Sequence, residues 1–256
     1  RYGSETIGGL LYFKDQPFVK IDDYEGFVGS KFNFNSHSSS NQFGIKWNKK
    51  NLFINLFGEY ILSSDYRLPD GQYLFNSRFN KNAIKFSMSH KKNNLQNTLR
   101  YQLNNELTGI PAHVCLGDPN QIPISDFLSP SFEYNTDYEP ATPYQDVTNK
   151  LLVYELNYFL NKTKMNIYVG HFTNNLKEYE QITRPAFDLV LSNTLVNPNI
   201  KYFYNNSTFE FGSQFSILNN KNNINDRLVP DATSINIGPY GIFNFETNNI
   251  GLNLGL

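Results

Sequence analysis

Apolar residues recur at every second position along most of this chain, and no other feature limits its fold as strongly. In residues 95–104 one parity carries Leu95, Leu99, Tyr101 and Leu103, while the other parity is polar. A period of two places alternate side chains on opposite faces of a β-strand, whereas an amphipathic helix needs a period near 3.6. The pattern predicts an all-β fold with about eleven strands. They are predicted near residues 25–36, 41–47, 52–63, 79–90, 95–107, 150–160, 165–174, 187–203, 208–218, 234–246 and 249–256.

The connections between these strands alternate in length. Short polar turns are predicted at residues 48–51, 91–94, 161–164, 205–207 and 247–249, and longer segments at 64–78, 108–149, 175–186 and 219–233. In an antiparallel meander successive connections lie at opposite ends, so one end has short turns and the other has long loops. Outer-membrane β-barrels have this asymmetry. The chain is therefore predicted to form an antiparallel transmembrane β-barrel meander.

Composition agrees with this prediction and excludes several other classes. The chain has 22 Phe, 17 Tyr and only 2 Met, which favours strands because aromatic side chains pack well on a pleated surface. A net charge of −1 gives no electrostatic footprint for nucleic acid. The longest apolar runs are too short for a transmembrane helix, whereas a barrel strand shows lipid with only alternate residues. The single cysteine, Cys115, cannot form a disulfide within the chain.

Two alternatives remain compatible with the alternation itself. A soluble extracellular β-rich binding domain would place one face in a core and the other in water. Against it, several predicted strands are longer than the usual five or six residues and suit a tilted membrane crossing. A passive outer-membrane porin fits the periodicity equally well, so the period alone does not choose among barrels.

The start of the chain carries a more specific signal. Arg1-Tyr2-Gly3-Ser4 is followed by the pair Gly8-Gly9 and then by a short apolar run. This segment resembles the end of the plug domain of TonB-dependent outer-membrane receptors, where a Tyr-Gly-Ser-x-x-x-Gly-Gly sequence leads into a short apolar strand. Paired glycines allow close backbone approach, as expected where a globular plug packs inside a barrel.

Three internal segments are similar to one group of these receptors. Residues 109–113 read Gly-Ile-Pro-Ala-His and resemble the Gly-Ile-Pro-x-His stretch that opens a long extracellular loop. Residues 169–179 are similar to a Gly-Tyr-Gln-x-Asn-x-Arg-x-Glu-Phe strand end, although His171 and Phe172 replace Tyr and Gln. Residues 228–231 read Leu-Val-Pro-Asp and resemble a Leu-Ile-Pro-Asp loop segment.

The resemblance implies a barrel of about 22 strands that is filled by an N-terminal plug. Residues 1–24 would then be the end of the plug and its linker, and residues 25–256 the N-terminal half of the barrel. The expected location is the outer membrane of a Gram-negative cell, with the long loops outside. The implied activity is uptake, driven by TonB, of a scarce small molecule: a ferric siderophore or other iron complex first, with haem, cobalamin or an oligosaccharide as further candidates. Arg1 in place of Met, and a last residue within an alternating pattern, indicate a segment of a longer protein.

Candidate ligand contacts concentrate in residues 108–149. Loops longer than about 15 residues are usually functional or disordered, and the six prolines of this one stiffen it. The predicted substrate-binding residues are His113, Asp118, Tyr134 and Tyr138 from this loop, together with His171. The alternative is a loop that only covers its neighbours. No grouping of catalytic or metal-ligating residues has credible spacing, so we expect neither an enzyme nor a cofactor.

Overall fold

A computed structural model describes residues 18–69, 71, 73–111, 128–129, 137–180, 183–225, 227, 229–247 and 250–255. The resemblance to a plug at residues 1–13 lies outside these ranges. The strands are β1 (Asp23–Asn33), β2 (Ser38–Lys49), β3 (Leu52–Ser63), β4 (Tyr73–Leu74), β5 (Phe79–Lys92), β6 (Leu95–Gly109), β7 (Leu128–Ser129), β8 (Tyr144–Leu160), β9 (Thr163–Tyr179), β10 (Phe187–Tyr204), β11 (Ser207–Asn222), β12 (Ala232–Glu246) and β13 (Gly251–Gly255).

Eleven of these strands form one antiparallel sheet in chain order, β1-β2-β3-β5-β6-β8-β9-β10-β11-β12-β13. The predicted all-β class and the antiparallel pairing of the strands in chain order are therefore confirmed, while closure into a barrel stays a prediction. β4 and β7 pair separately as a two-stranded sheet. Among the described residues β1 and β13 have one neighbour each, so the sheet is open at both edges.

The two ends of the sheet differ as the sequence predicts. At one end, four hairpins turn within two residues, at 50–51, 93–94, 161–162 and 205–206. The first residue of each turn has a positive φ, between 43° and 56°, and it is Asn in three of the four. Asn tolerates this left-handed conformation better than most residues. The longer connections, including 64–78 and 110–143, lie at the opposite end.

Strand boundaries differ most from the prediction on the long-loop side. β8 begins at Tyr144 rather than near 150, and β9 ends at Tyr179 rather than near 174. These extensions carry polar residues on both faces, so the alternation fades although the backbone pairing continues. Nothing in the described part of the chain forms a helix with the length and apolar character needed to cross a membrane.

Strand register assigns every side chain to one of two faces. One row of directly paired residues crosses ten strands and is apolar throughout: Tyr24, Trp47, Ile54, Met88, Leu99, Tyr154, Val169, Val196, Phe215 and Ile237. We call the face that carries this row the apolar face. The opposite face, which carries residues such as Arg100, Glu155 and Asn166, is the polar face.

Candidate functional site

The central row of the apolar face is exposed or half-exposed on every strand that it crosses. Trp47, Tyr154 and Ile237, on strands near the two edges and the centre, are 37%, 40% and 72% exposed. On β8 the alternate apolar residues run from 152 to 160, a stretch of nine residues that matches one tilted membrane crossing. Tyr202 and Tyr204 stand on this face beside a short turn, the kind of border position where aromatic residues meet a membrane interface.

The polar face has the opposite distribution, because many of its polar side chains are buried. Ser89, Thr98 and Asn55 are 0%, 2% and 3% exposed, and all three lie on this face. The only buried apolar residues in the described part of the chain are Val153 and Leu189, and they too lie on the polar face. Side chains crowd on one face of a single sheet when the sheet curves toward that face. We therefore infer that the sheet curves toward its polar face, which is then the inner one.

Cross-strand hydrogen bonds join the polar side chains of this inner face. The Glu155 carboxylate accepts bonds from Arg100 at 2.9 Å, Asn157 at 2.9 Å and Asn166 at 3.2 Å. Asn199 on the next strand donates to Asn166 at 3.1 Å. The network spans β6 to β10 and supplies partners to a charged pair that is only partly exposed, at 24% for each side chain.

A hollow of about 320 Å³ opens on the polar face between β1 and β6. Phe27 and Phe57 line it, with ring centroids 6.3 Å apart, beside the hydrogen-bonded pair Gln42 and Glu59. Asn55 also lines it, and its Oδ1 has no hydrogen-bond partner among the described residues. The hollow therefore offers aromatic surface and an unsatisfied acceptor to whatever fills it.

The chain reaches β1 across the polar face. The rings of Phe18 and Phe53 are 5.4 Å apart, and the Asn48 side chain donates to the Val19 carbonyl at 2.8 Å. Phe53 and Asn48 both belong to the polar face, at the short-turn end. The residues immediately before the first strand thus lie against the inner face of the sheet.

At the long-loop end, a buried ion pair joins the two sides of the β3–β5 connection. Arg78 and Asp65 are 2% and 3% exposed. The Arg78 Nη2 and Nε donate to the two Asp65 carboxylate oxygens, at 2.7 and 3.1 Å. Ser63 and Phe79 are paired across the hairpin, so the ladder itself brings the flanking Asp65 and Arg78 together.

Asn76 ties the same connection to residues 137–143, which we call the root of the long loop. Its side-chain nitrogen donates to the carbonyls of Ala141 at 3.0 Å and Pro143 at 2.7 Å, and its Oδ1 accepts from the Ala141 amide at 2.9 Å. Asn76 has φ of 60° and is 1% exposed. Gly109 permits this approach, since a Cβ there would lie 2.2 Å from the Asn76 carbonyl oxygen.

A second loop is closed by Asp231, between β11 and β12. Its Oδ1 accepts from the Asn222 side chain and from the Asn222 backbone amide, each at 2.7 Å. These bonds, the side-chain bond first, favour the ionised form and hold the pKa of the Asp231 carboxyl below its ordinary value.

The structure separates the predicted ligand contacts. Tyr138 lies in the loop root, half-buried, with its hydroxyl 3.4 Å from the His37 carbonyl oxygen. His171 lies on the apolar face, paired with Leu152 and with its Nδ1 2.9 Å from Thr194 Oγ1. It is therefore not brought to the loop end with Tyr138. His113, Asp118 and Tyr134 fall outside the described residues.

The sequence reasoning missed Asp65, Asn76 and Arg78. Opposite charges next to the ends of two paired strands were a usable signal for Asp65 and Arg78, because a hairpin brings such positions together. Asn76 had no such signal, since its partners lie 34 to 67 residues further along the chain.

Within the described ranges, no three His, Cys, Asp or Glu side chains are grouped so that they could hold a metal ion. Comparisons with known proteins add no assignment. No family model and no curated protein matches this chain.

Proposed function

We propose that this chain forms part of the wall of an outer-membrane β-barrel in a TonB-dependent receptor. The receptor would take up a scarce nutrient, with a ferric siderophore or another iron complex as the favoured cargo. One observation carries the proposal: the apolar face stays exposed or half-exposed, while the buried polar side chains of the sheet lie on the polar face. In a soluble domain the apolar face would be the covered one.

The energetics favour lipid as the solvent of the apolar face. Burying a large apolar side chain is worth about 1.5–3 kcal/mol. A face of eleven strands left in water would forgo free energy comparable to the whole stability of a domain, about 5–15 kcal/mol. It would also exceed the few hundred Å² of apolar patch that soluble monomers usually expose. Lipid removes this conflict, and the crossing length of nine residues on β8 suits it.

Further features favour a receptor with a plug over a passive porin. The residues before β1 lie on the polar face, as they would if a preceding domain occupied the interior of the barrel. The resemblance of residues 1–13 to the end of a plug points the same way. The hollow beside Asn55 and Phe57 would then be completed by groups outside the described sheet.

Spin labels on the full-length protein test the wall. A nitroxide at position 99 should be relaxed by oxygen and protected from a water-soluble relaxing agent, because Leu99 lies on the apolar face. A nitroxide at position 100, on the polar face, should show the reverse. Phe215 and Gln214 on β11 offer a matched pair. If the nitroxides at positions 99 and 100 were equally accessible to both relaxing agents, the sheet would not be a membrane wall, and a soluble binding domain would be favoured.

Deletion of the long loop tests the receptor. The root at residues 137–143 is held by Asn76 and Arg78, so the deletion should run from about 115 to 135 and leave the root intact. The barrel should still assemble, because its backbone bonds lie in the strands. Uptake of ⁵⁵Fe-labelled siderophores from an iron-limited culture of the source organism should fall at equal surface abundance. Unchanged uptake would show that the loop covers its neighbours without contributing to cargo capture.

A further inference from the structure

We propose that Arg78 is a positioning residue that fixes Tyr138 at the long-loop end of the sheet, where Tyr138 contacts the cargo. Only the cargo contact rests on the proposed function, since the positioning follows from hydrogen bonds within the chain. Arg78 belongs to the connection after β3, and Tyr138 lies 60 positions later in the root of the long loop.

Arg78 is itself held immobile. Its guanidinium donates to both oxygens of Asp65, at 2.7 and 3.1 Å, and its backbone amide donates to the same carboxylate at 3.1 Å. The guanidinium carbon lies 5.5 Å from the centroid of the Phe75 ring. Because Nε and Nη2, one edge of the planar group, are both held by Asp65, the direction of the remaining nitrogen, Nη1, is also fixed.

That nitrogen holds both neighbours of Tyr138. Arg78 Nη1 donates to Asp137 Oδ2 at 2.9 Å and lies 3.4 Å from the Glu139 carbonyl oxygen, which accepts more weakly. The other oxygen of Asp137 accepts from the Glu139 amide at 3.0 Å, which closes the backbone around Tyr138. The Tyr138 hydroxyl then reaches the His37 carbonyl of the β1–β2 connection at 3.4 Å.

This arrangement gives Tyr138 a defined position before any cargo arrives. A ring that is already ordered contributes contact area at low entropic cost, because its conformational entropy is lost on folding and not on binding. Lys could not replace Arg78, since one ammonium group cannot engage the carboxylates of Asp65 and Asp137 in the same planar geometry. Asn76 holds Ala141 and Pro143 independently, so the loss of Arg78 should release residues 137–139 and leave the rest of the root in place.

Distances between spin labels test the positioning in the full-length protein. Nitroxides replace Glu139, which uses only its backbone in these contacts, and Lys150, an exposed residue of β8. The unmodified background should give one narrow distance distribution. Arg78→Ala and Arg78→Lys should each broaden it by about twofold, because neither side chain can form the bridge. Arg100→Ala removes an Arg–carboxylate pair from the wall and is the matched control that should leave the width unchanged.

A milder variant protects the test against misfolding. Asp137→Asn changes a side chain that is 56% exposed, so the sheet should assemble normally while the distribution still broadens. Distributions as narrow as the control in both Arg78→Ala and Asp137→Asn would overturn the positioning role.

Uptake kinetics test the contact with cargo. With ⁵⁵Fe-labelled siderophores as the probe, Arg78→Ala and Tyr138→Ala should each raise the apparent KM about fivefold at unchanged surface abundance. In a Tyr138→Ala background Arg78→Ala should add no further increase, because Arg78 acts through Tyr138. If the two substitutions instead raised the apparent KM independently, so that their effects multiplied in the double variant, Arg78 would not act through Tyr138. If the unmodified protein takes up none of the probe, the proposed function and the cargo contact fall together, while the spin-label distances still decide whether Arg78 positions Tyr138.

Discussion

The two ends of the sheet solve the same problem, reversal of the chain, by different physical means. At the short-turn end the reversals are local: in four hairpins two residues suffice, and the first of them, such as Asn161, adopts a positive φ. At the long-loop end the chain is held by side chains from distant segments, with Asn76 bonded to Pro143 and Arg78 to Asp137. The short-turn end therefore depends on residue type at single positions, and the long-loop end depends on tertiary contacts. Four predictions test this difference.

Removal of Asp65 should have the largest effect. Asp65→Ala leaves the Arg78 guanidinium buried with the more exposed Asp137 as its one charged partner among the described residues. Breaking a buried ion pair lowers stability by about 3–5 kcal/mol. Because Asp137 still faces the guanidinium, we expect a loss near the lower value. Hydrogen exchange of peptides from residues 64–78 and 137–143 measures it as faster local opening.

The matched control for Asp65 is an ion pair near the short-turn end whose carboxylate is exposed. Glu25→Ala removes an ion pair with Lys46, and Glu25 is 61% exposed. Such pairs contribute about 0–1 kcal/mol. A cost for Glu25→Ala equal to that of Asp65→Ala would break the distinction between the two ends.

Gly109→Ala should have the second largest destabilising effect. The new Cβ would lie 2.2 Å from the Asn76 carbonyl oxygen, and a backbone atom cannot move aside as a flexible side chain can. Overpacking of this kind costs about 1–3 kcal/mol. Gly238→Ala is the control, because nothing lies within 4 Å of its ideal Cβ. Equal hydrogen exchange in the two variants would show that Asn76 does not constrain the long-loop end.

The destabilisation caused by Asn161→Ala should be smaller still and confined to one hairpin. Asn161 has φ of 43°, and a left-handed conformation costs a residue such as Ala about 1–2 kcal/mol. The advantage of Asn is partial, so we expect a loss of about 1 kcal/mol, with Asn161→Gly close to neutral. Exchange should rise in the β8–β9 turn and remain unchanged in the loop root. A change in the root would mean that the two ends are coupled.

The smallest effect should be a pH dependence of the β11–β12 loop. The pKa of Asp231 is lowered in the folded protein by the two bonds from Asn222, so the bonds stabilise the loop above the unfolded pKa, about 4. The stabilisation is lost as the pH falls through the pKa that Asp231 has in the folded protein, which is lower than the unfolded pKa. A nitroxide at Val229, an exposed loop residue, should become more mobile over that acid range. Asp231→Asn should remove the transition, and the same transition in that variant would exclude Asp231 as its source.

Prediction from the sequence succeeded where the information was local. Alternation across residues 95–104 and 152–160 located β6 and β8, because each side chain reports its own face. The Asn turns marked the short-turn end for the same reason. The start of β8 and the end of β9 were missed, because polar residues occur on both faces there and the strands are extended by backbone pairing without clear alternation.

The candidate site was predicted less completely than the fold. Tyr138 was identified from loop composition, and the structure describes it, but Asp65, Asn76 and Arg78 were not identified. Their importance lies in partners that are remote in sequence: Arg78 and Asp137 are 59 positions apart, and Asn76 and Pro143 are 67 apart. His171 shows the converse, since a polar residue chosen from a sequence resemblance lies on the apolar face beside Thr194. Its ligand role stays a prediction.

By itself the sequence determined that this protein is all-β, that its strands form a meander and that its connections alternate between short and long. Period and turn chemistry are properties of neighbouring residues, so they can be read along the chain. Only the tertiary structure decided which face is buried and how the long-loop end is held. Both depend on register and curvature, which bring residues far apart in sequence to within hydrogen-bonding distance. The burial of Ser89 and Thr98 beneath an exposed apolar face is the outcome that no single strand could have specified.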